Sequence, residues 1–232
     1  MVTSITSDLY KKNSIHIARS DSIDTNNYRL NTLRLITMEN IFFDKNKLKY
    51  IGKNVIIGKT VRIRHPELVS IGDNSIIDDF TYISAELEIG RFCQIASNTT
   101  ILGGGGMGKV IYEDLSGNAP GCRLIAASDD YITGLGHTCI PKRYQGEQRG
   151  GTITLKNFVI LGANTVVMPN VTVSEGVTTG AMTLLRKNPQ SWKVYSGNPA
   201  RIIGDRDKEA YMKNHDAMWK EYYENNESFV GE

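Results

Sequence analysis

Between Ile51 and Thr100 the chain reads IGKNVIIGKTVRIRHPELVSIGDNSIIDDFTYISAELEIGRFCQIASNTT, and an aliphatic residue returns every six positions. Ile51, Ile57 and Ile63 set the beat. After a two-residue slip at Arg64-His65-Pro66 it resumes at Ile71, Ile77, Ile83, Ile89, Ile95 and Ile101. Neither an α-helix, with about 3.6 residues per turn, nor an alternating strand, with a period of about 2, sustains such spacing. A short strand, a corner and another short strand do, and self-similarity at this period marks a parallel β-helix.

The other positions of each hexad agree. The residue after the aliphatic is short, as in Gly52, Gly58, Gly72, Asp78, Gly90 and Ala96, which suits a corner with unusual backbone angles. Four positions after the aliphatic stand Val55, Val61, Ser75, Thr81, Leu87, Cys93 and Thr99, small or apolar side chains that fit a narrow interior. Three hexads make one triangular coil, and stacked coils pair as parallel strands about 4.8 Å apart.

Composition narrows the function. A net charge of +2 without any Lys/Arg-rich block argues against a nucleic-acid binder, while the slight basic bias is compatible with an anionic cofactor. Cys93, Cys122 and Cys139 lack metal-ligand spacing, so no metal is expected. With no secretory signal in residues 1–12 they fit a reducing cytosol, hence a cytoplasmic location. No apolar run approaches the ~20 residues of a membrane span.

Along the chain, residues 1–50 are polar and off-repeat. Leu30, Leu33, Leu35, Ile36, Ile41, Phe42 and Phe43 suit a short cap on the apolar end of the solenoid. The repeat domain spans residues 51–190, with coils expected at about 51–70, 71–88 and 89–106. The beat breaks at Gly103-Gly104-Gly105-Gly106-Met107-Gly108-Lys109-Val110. This nearly matches a phosphate-binding loop, but Val110 stands where Ser or Thr must ligate magnesium, and repeats follow where a helix should. A glycine-rich bulge at a corner is the better reading. The repeat returns loosely at Leu115, Gly121 and Ala127, with Ala119, Ile125 and Tyr131 as inward partners. A polar excursion then fills residues 133–151. Strict hexads resume at Leu155, Leu161, Val167, Val173, Thr179 and Leu185, and Asn188-Pro189 closes the solenoid. Residues 191–232 form an extension in which 205–225 suit an amphipathic helix.

A regular solenoid does not need a long loop, so the excursion is the place to look for chemistry. His137 lies on it, with Asp129, Asp130 and Glu147 nearby in sequence. Histidine suits proton abstraction near neutral pH because its ordinary pKa is about 6.5. His16 and His215 read as solvated, and His65 as a turn residue or a residue lining a site.

From His137 to Arg201 the chain resembles the hexapeptide-repeat acyltransferases, most of all the sugar O-acetyltransferases and nucleotide-amino-sugar N-acetyltransferases. The matching elements are Gly151-Thr152-Ile153-Thr154-Leu155, Leu161-Gly162-Ala163-Asn164-Thr165-Val166-Val167-Met168-Pro169-Asn170-Val171, Gly180-Ala181-Met182-Thr183 and Gly197-Asn198-Pro199-Ala200-Arg201. Ser128-Asp129-Asp130-Tyr131, with Pro141 and Tyr144, is similar to a subgroup active in surface-polysaccharide (capsule or lipopolysaccharide) synthesis. One element departs: the commoner sugar acetyltransferases carry His-Pro where this chain has His137-Thr138.

The resemblance implies an all-β, left-handed parallel β-helix with an N-terminal cap and a C-terminal α-helix, assembled as a homotrimer with acetyl-CoA bound between subunits. It implies His137 as the base that takes the acceptor's proton as the acceptor attacks the thioester, with a backbone N–H meeting the oxyanion. Asp129 or Asp130 would orient His137 or hold a sugar hydroxyl; otherwise they are solvated corner residues. Gly162, Ala163, Gly180 and Ala181 would admit the pantetheine arm, although coil corners want small residues too. Arg186, Lys187 and Arg201 would meet CoA phosphates. The first expectation for the acceptor is a sugar or polysaccharide hydroxyl, the alternative an amine on a nucleotide-linked deoxysugar. Two other classes share the architecture. A γ-type carbonic anhydrase needs three zinc-binding histidines, one more than His65 and His137 supply. A non-enzymatic scaffold would need neither the long loop nor the closing signature.

Overall fold

The computed structural model of the chain describes residues 40–136 and 139–224. Leu30, Leu33, Leu35, Ile36, His16 and His137 lie outside the described residues.

The hexad beat becomes three parallel sheets that form the sides of a triangular prism. On sheet 1, Ile51, Ile71, Ile89, Tyr112, Leu155 and Val173 stack in register. On sheet 2 the stack is Ile57, Ile77, Ile95, Asn118 and Leu161, followed by Thr179 and Tyr195. Sheet 3 stacks Ile63, Ile83, Ile101, Leu124, Val167 and Leu185. The interior is one continuous file of these anchors and of the residues four positions on, among them Val61, Leu87, Val159, Val171 and Val177, all buried. Fully burying one such aliphatic side chain contributes about 1.5–3 kcal/mol, so the file is the main source of stability.

The corners work differently from the sequence expectation. The left-handed backbone angle falls three positions after an anchor, not one, at ten coil corners: Asn54, Asn74, Phe80, Phe92, Asn98, Leu115, Phe158, Asn164, Asn170 and Met182. Asparagine recurs there because it tolerates that region best among residues with a side chain. The glycine after the anchor answers a different need, the close approach of the next coil: a Cβ on Gly72 would stand 2.5 Å from the Gly90 carbonyl oxygen.

The fourth coil is also registered differently. Its anchors are Tyr112, Asn118 and Leu124, whereas Leu115 and Gly121 turn corners at φ of 58° and 78° and Tyr131 is exposed. Pairing to Ile89 above and Leu155 below fixes Tyr112 in the file. Its hydroxyl donates to Asn118 Oδ1 at 2.8 Å, and Asn118 Nδ2 donates to Thr99 Oγ1 at 2.8 Å and to the Ala119 carbonyl at 3.0 Å. A polar residue therefore occupies an aliphatic position with its hydrogen bonds made, which is the condition for burying it without a large penalty. Burial pushes the nearby Cys93 thiol up to about 11 and raises that of Cys122, so both stay protonated core residues.

All insertions leave from one corner. Between the sheet 3 anchor and the next sheet 1 anchor lie the Pro66–Leu68 turn, the glycine-rich turn of residues 103–108, and the long excursion. The glycine-rich turn closes with the Gly106 and Gly108 N–H groups donating to the Gly103 carbonyl, and a strand, Lys109–Tyr112, follows it. The excursion begins earlier than residue 133, on a two-stranded antiparallel stem in which Ala127 faces Gly150 and Ser128 faces Arg149. The stem rests on the glycine-rich turn, where a Cβ on Gly150 would collide with the Met107 carbonyl.

The first corner, between sheets 1 and 2, is covered instead. The C-terminal helix Lys208–Met218, capped by the Asp207 carboxylate accepting from Ala210 N–H at 3.0 Å, continues as a π-helical turn over Trp219–Glu224. Tyr211 meets Phe158 and Trp192, and Trp219 meets Phe92 beneath the Arg91 guanidinium. His215 is not simply solvated: it packs edge-on to Phe158 and stacks on Trp219. Such ring pairs contribute about 0.5–1.5 kcal/mol each beyond their buried area.

Two tests follow from this architecture. Tyr112→Phe and Asn118→Leu should each lower stability by ~1–3 kcal/mol, and the double variant by clearly less than their sum; chemical denaturation of the four proteins measures that coupling. Gly150→Ala should open the stem: limited proteolysis within residues 129–149 accelerates while the melting of the solenoid changes little.

Candidate functional site

The candidate residues lie on the third corner, between sheets 3 and 1, and on the second, between sheets 2 and 3. Above its stem the excursion is zipped. Leu135 N–H donates to the Tyr144 carbonyl at 2.9 Å and Gly136 N–H to the Gln145 carbonyl at 3.4 Å, with Gly134 pressed against the Gln145 backbone. His137 and Thr138 follow Gly136 directly in sequence. The Pro141–Tyr144 turn begins the returning arm, and Tyr131, Ile132, Leu135 and Tyr144 project into solvent from the excursion.

The two aspartates at its base differ. Asp130 holds the loop: Oδ1 accepts from Ile132 N–H at 2.9 Å and Thr133 N–H at 3.1 Å, and Oδ2 accepts from the Thr133 hydroxyl. The Thr133 hydroxyl, followed by these two N–H groups, holds the Asp130 carboxyl down at about 2, so it is ionised across the working pH range and a poor proton acceptor. Asp129 makes one side-chain bond, from Gln148 Nε2 to Oδ1 at 2.7 Å, and Oδ2 has no partner among the described residues.

On the second corner, Gly162 and Gly180 stack at successive coils, followed by Ala163 and Ala181. A Cβ on Gly162 would stand 2.7 Å from the Gly180 carbonyl carbon, so coil approach alone requires this glycine. Gly162 N–H donates to Thr179 Oγ1 at 2.9 Å and Gly180 N–H to the Tyr195 carbonyl at 2.7 Å. At the end of the last coil a cleft of about 420 Å³ is lined by Leu184, Tyr195 and Pro199 and brings Arg186, Lys187 and Arg201 together. All three cations are exposed, and none has an ion pair among the described residues.

One chain therefore places the small residues and the excursion on different corners, with the outer face of sheet 3 between them. His65 is on the third corner, where it precedes the Pro66–Leu68 turn and stands 3.4 Å from Glu67. Among the described residues no group of three His, Cys, Asp or Glu could hold a metal ion, and no helix is long and apolar enough to cross a membrane. Two features escaped sequence reading: the shared corner of all three insertions and the Gln148–Asp129 contact. The first is written in the anchor spacing once the fourth coil is registered on Tyr112. The second depends on the pairing of the stem strands, for which the sequence has no signal.

No family model matches the chain. It is 30% identical over 165 residues to the dTDP-4-amino-4,6-dideoxy-D-glucose acyltransferase of Escherichia coli, covering 69% of this chain and 83% of that protein. With the galactoside O-acetyltransferase of Escherichia coli K12 it shares 27% identity over 152 residues, 63% of this chain and 70% of that one. Among solved structures it is similar to AntD, an N-acyltransferase from Bacillus cereus bound to dTDP and 3-hydroxybutyryl-CoA. The TM-score is 0.71 at 31% identity, over 79% of this chain and 99% of AntD. A variant of AntD that holds dTDP-4-amino-4,6-dideoxyglucose and coenzyme A superposes with a TM-score of 0.70 at 31% identity, over 78% of this chain and 98% of that one. The triangular hexad solenoid, its single long excursion and these likenesses lead to one conclusion: the chain belongs to the hexapeptide-repeat sugar acyltransferases.

Proposed function

We propose that this enzyme moves an acyl group from an acyl-CoA to the amine of a nucleotide-linked amino-dideoxysugar, in sites completed between neighbouring copies of a homotrimer. The observation that carries the acceptor class is the likeness to AntD over nearly all of its length, together with the E. coli relative named for the same aminosugar. The hydroxyl acceptor, the first expectation from sequence, has the weaker support, a relative of lower identity and coverage.

The chemistry fits the parts. The amine, held unprotonated, attacks the thioester carbon; a C–N bond forms, the C–S bond breaks, and sulfur leaves as the CoA thiolate. The amine proton passes to a loop base and from there to the thiolate. His137, next in sequence after Gly136, is our candidate for that base. Asp129, whose Oδ2 has no partner among the described residues, is the carboxylate that orients it or takes an N–H of the acceptor. Arg186, Lys187 and Arg201 hold CoA phosphates, for which three exposed cations with no ion pair among the described residues are suited. Gly162, Ala163, Gly180 and Ala181 leave room for the pantetheine arm beside the backbone.

The corners support this assembly: with the first covered by the C-terminal helix, a neighbouring copy would pack through the other two and set its excursion against the small-residue corner of the first.

Turnover read as free thiol release from acetyl-CoA and 3-hydroxybutyryl-CoA should appear with dTDP-4-amino-4,6-dideoxyglucose and be absent with galactosides; the reverse result would restore the hydroxyl acceptor. His137→Ala should lower kcat ~10²–10⁴-fold with little change in KM for the acyl donor, and near-full activity would remove it as the base. Arg186→Ala/Lys187→Ala should instead raise KM for acyl-CoA about tenfold, equivalent to ~1.4 kcal/mol, with kcat preserved.

A further inference from the structure

We propose that Gln148 is a positioning residue that sets the Asp129 carboxylate for acyl transfer, an inference that rests on the reading of the excursion as the reacting loop. Asp129 and Gln148 face each other one step beyond the last paired residues of the stem, Ser128 and Arg149. Gln148 Nε2 donates to Asp129 Oδ1 at 2.7 Å, and the Ser128 hydroxyl donates to the Asp129 carbonyl at 3.2 Å. Side chain and backbone of Asp129 are thus tied from both arms of the stem, and both partners are half-buried.

The chemistry of the tie points to function. A glutamine amide orients a carboxylate without neutralising it, whereas Lys or Arg in its place would quench the charge in an ion pair. One oxygen is pinned and the other has no partner among the described residues. The neighbouring Asp130 spends its carboxylate on three donors of its own loop, so the loop does not need Asp129 to hold its shape. The charged groups flanking Asp129 on the stem are Asp130, Glu147 and Arg149. Arg149 is the one cation among them, and its charge bears on Asp130. A carboxylate held by a neutral donor with one free oxygen is the arrangement that orients a base or receives a proton.

The test compares the full-length wild type, Asp129→Asn, Gln148→Met and Gln148→Glu, with acyl-CoA and the amino-sugar nucleotide as substrates. Gln148→Met keeps the bulk of the side chain and deletes the donor. It should lower kcat ~10- to 100-fold with KM for acyl-CoA unchanged, as a slight misplacement of a reacting group does. Gln148→Glu sets a second carboxylate against the first. It should shift the acid limb of kcat/KM to higher pH by about one unit, because two adjacent carboxylates resist joint ionisation. If Asp129→Asn is impaired but both Gln148 variants keep the wild-type kcat and pH limb, the proposal is overturned. It is overturned equally if Asp129→Asn retains full activity, or if the Gln148→Met loss merely tracks faster proteolysis of the excursion. A wild type that turns over no amino-sugar acceptor would instead refute the acceptor class proposed above, which separates the two failures.

Discussion

The rest of the structure depends on the hydrogen-bonded registry between successive coils. Each coil donates to and accepts from the coils beside it, as when Ile76 N–H meets the Cys93 carbonyl and Arg123 N–H the Thr165 carbonyl, both at 2.9 Å. Registry at strand spacing leaves an interior one side chain wide, so an extra residue within a strand would push every later anchor off the file. Extra residues can be absorbed only where the chain turns. The slip at His65, the glycine-rich turn and the excursion all obey this rule, and all use the same turn.

The choice of turn has physical causes. The first corner carries Phe92, Leu115, Phe158 and Trp192 at positions of positive φ, and its three rings, Phe92, Phe158 and Trp192, receive the C-terminal helix. Insertions there would displace that helix. The second corner is closely stacked where Gly162 meets the Thr179 and Gly180 backbone, which leaves no room for a side chain there. The third is left, and its insertions support one another: Leu68 lies under Gly106, the Gly104 backbone approaches Ala127, and Gly150 rests on Met107. A loop that would otherwise hang from two strands gains a floor from the shorter insertions beneath it.

This economy governs what could be read from sequence. The anchors Ile51 to Ile101 and Leu155 to Leu185 were legible because aliphatic side chains at a period of six admit one explanation. The fourth coil was not, since Tyr112 and Asn118 satisfy their polar atoms inside the file and so break the composition without breaking the geometry. The glycines after each anchor were legible as special but for the wrong cause; coil proximity, not backbone angle, demands them. The cations Arg186, Lys187 and Arg201 could be named from their place after the last hexad, while their shared cleft depends on the return of the chain past Tyr195 and Pro199. His215 looked solvated because its ring partners, Phe158 and Trp219, lie on different elements.

The adjacent aspartates carry the last step. In sequence Asp129 and Asp130 are interchangeable, two carboxylates before a loop. In the fold the stem ends between them and the zipped loop, so Asp130 faces inward to the loop's own N–H groups, while Asp129 remains with the strand pair and meets a single neutral donor across it. Their different hydrogen bonding follows the end of antiparallel pairing at Ser128 and Arg149: Asp129 stands one step beyond it and Asp130 two. One carboxylate is thus spent on the shape of the loop, while the other keeps a single neutral donor across the stem.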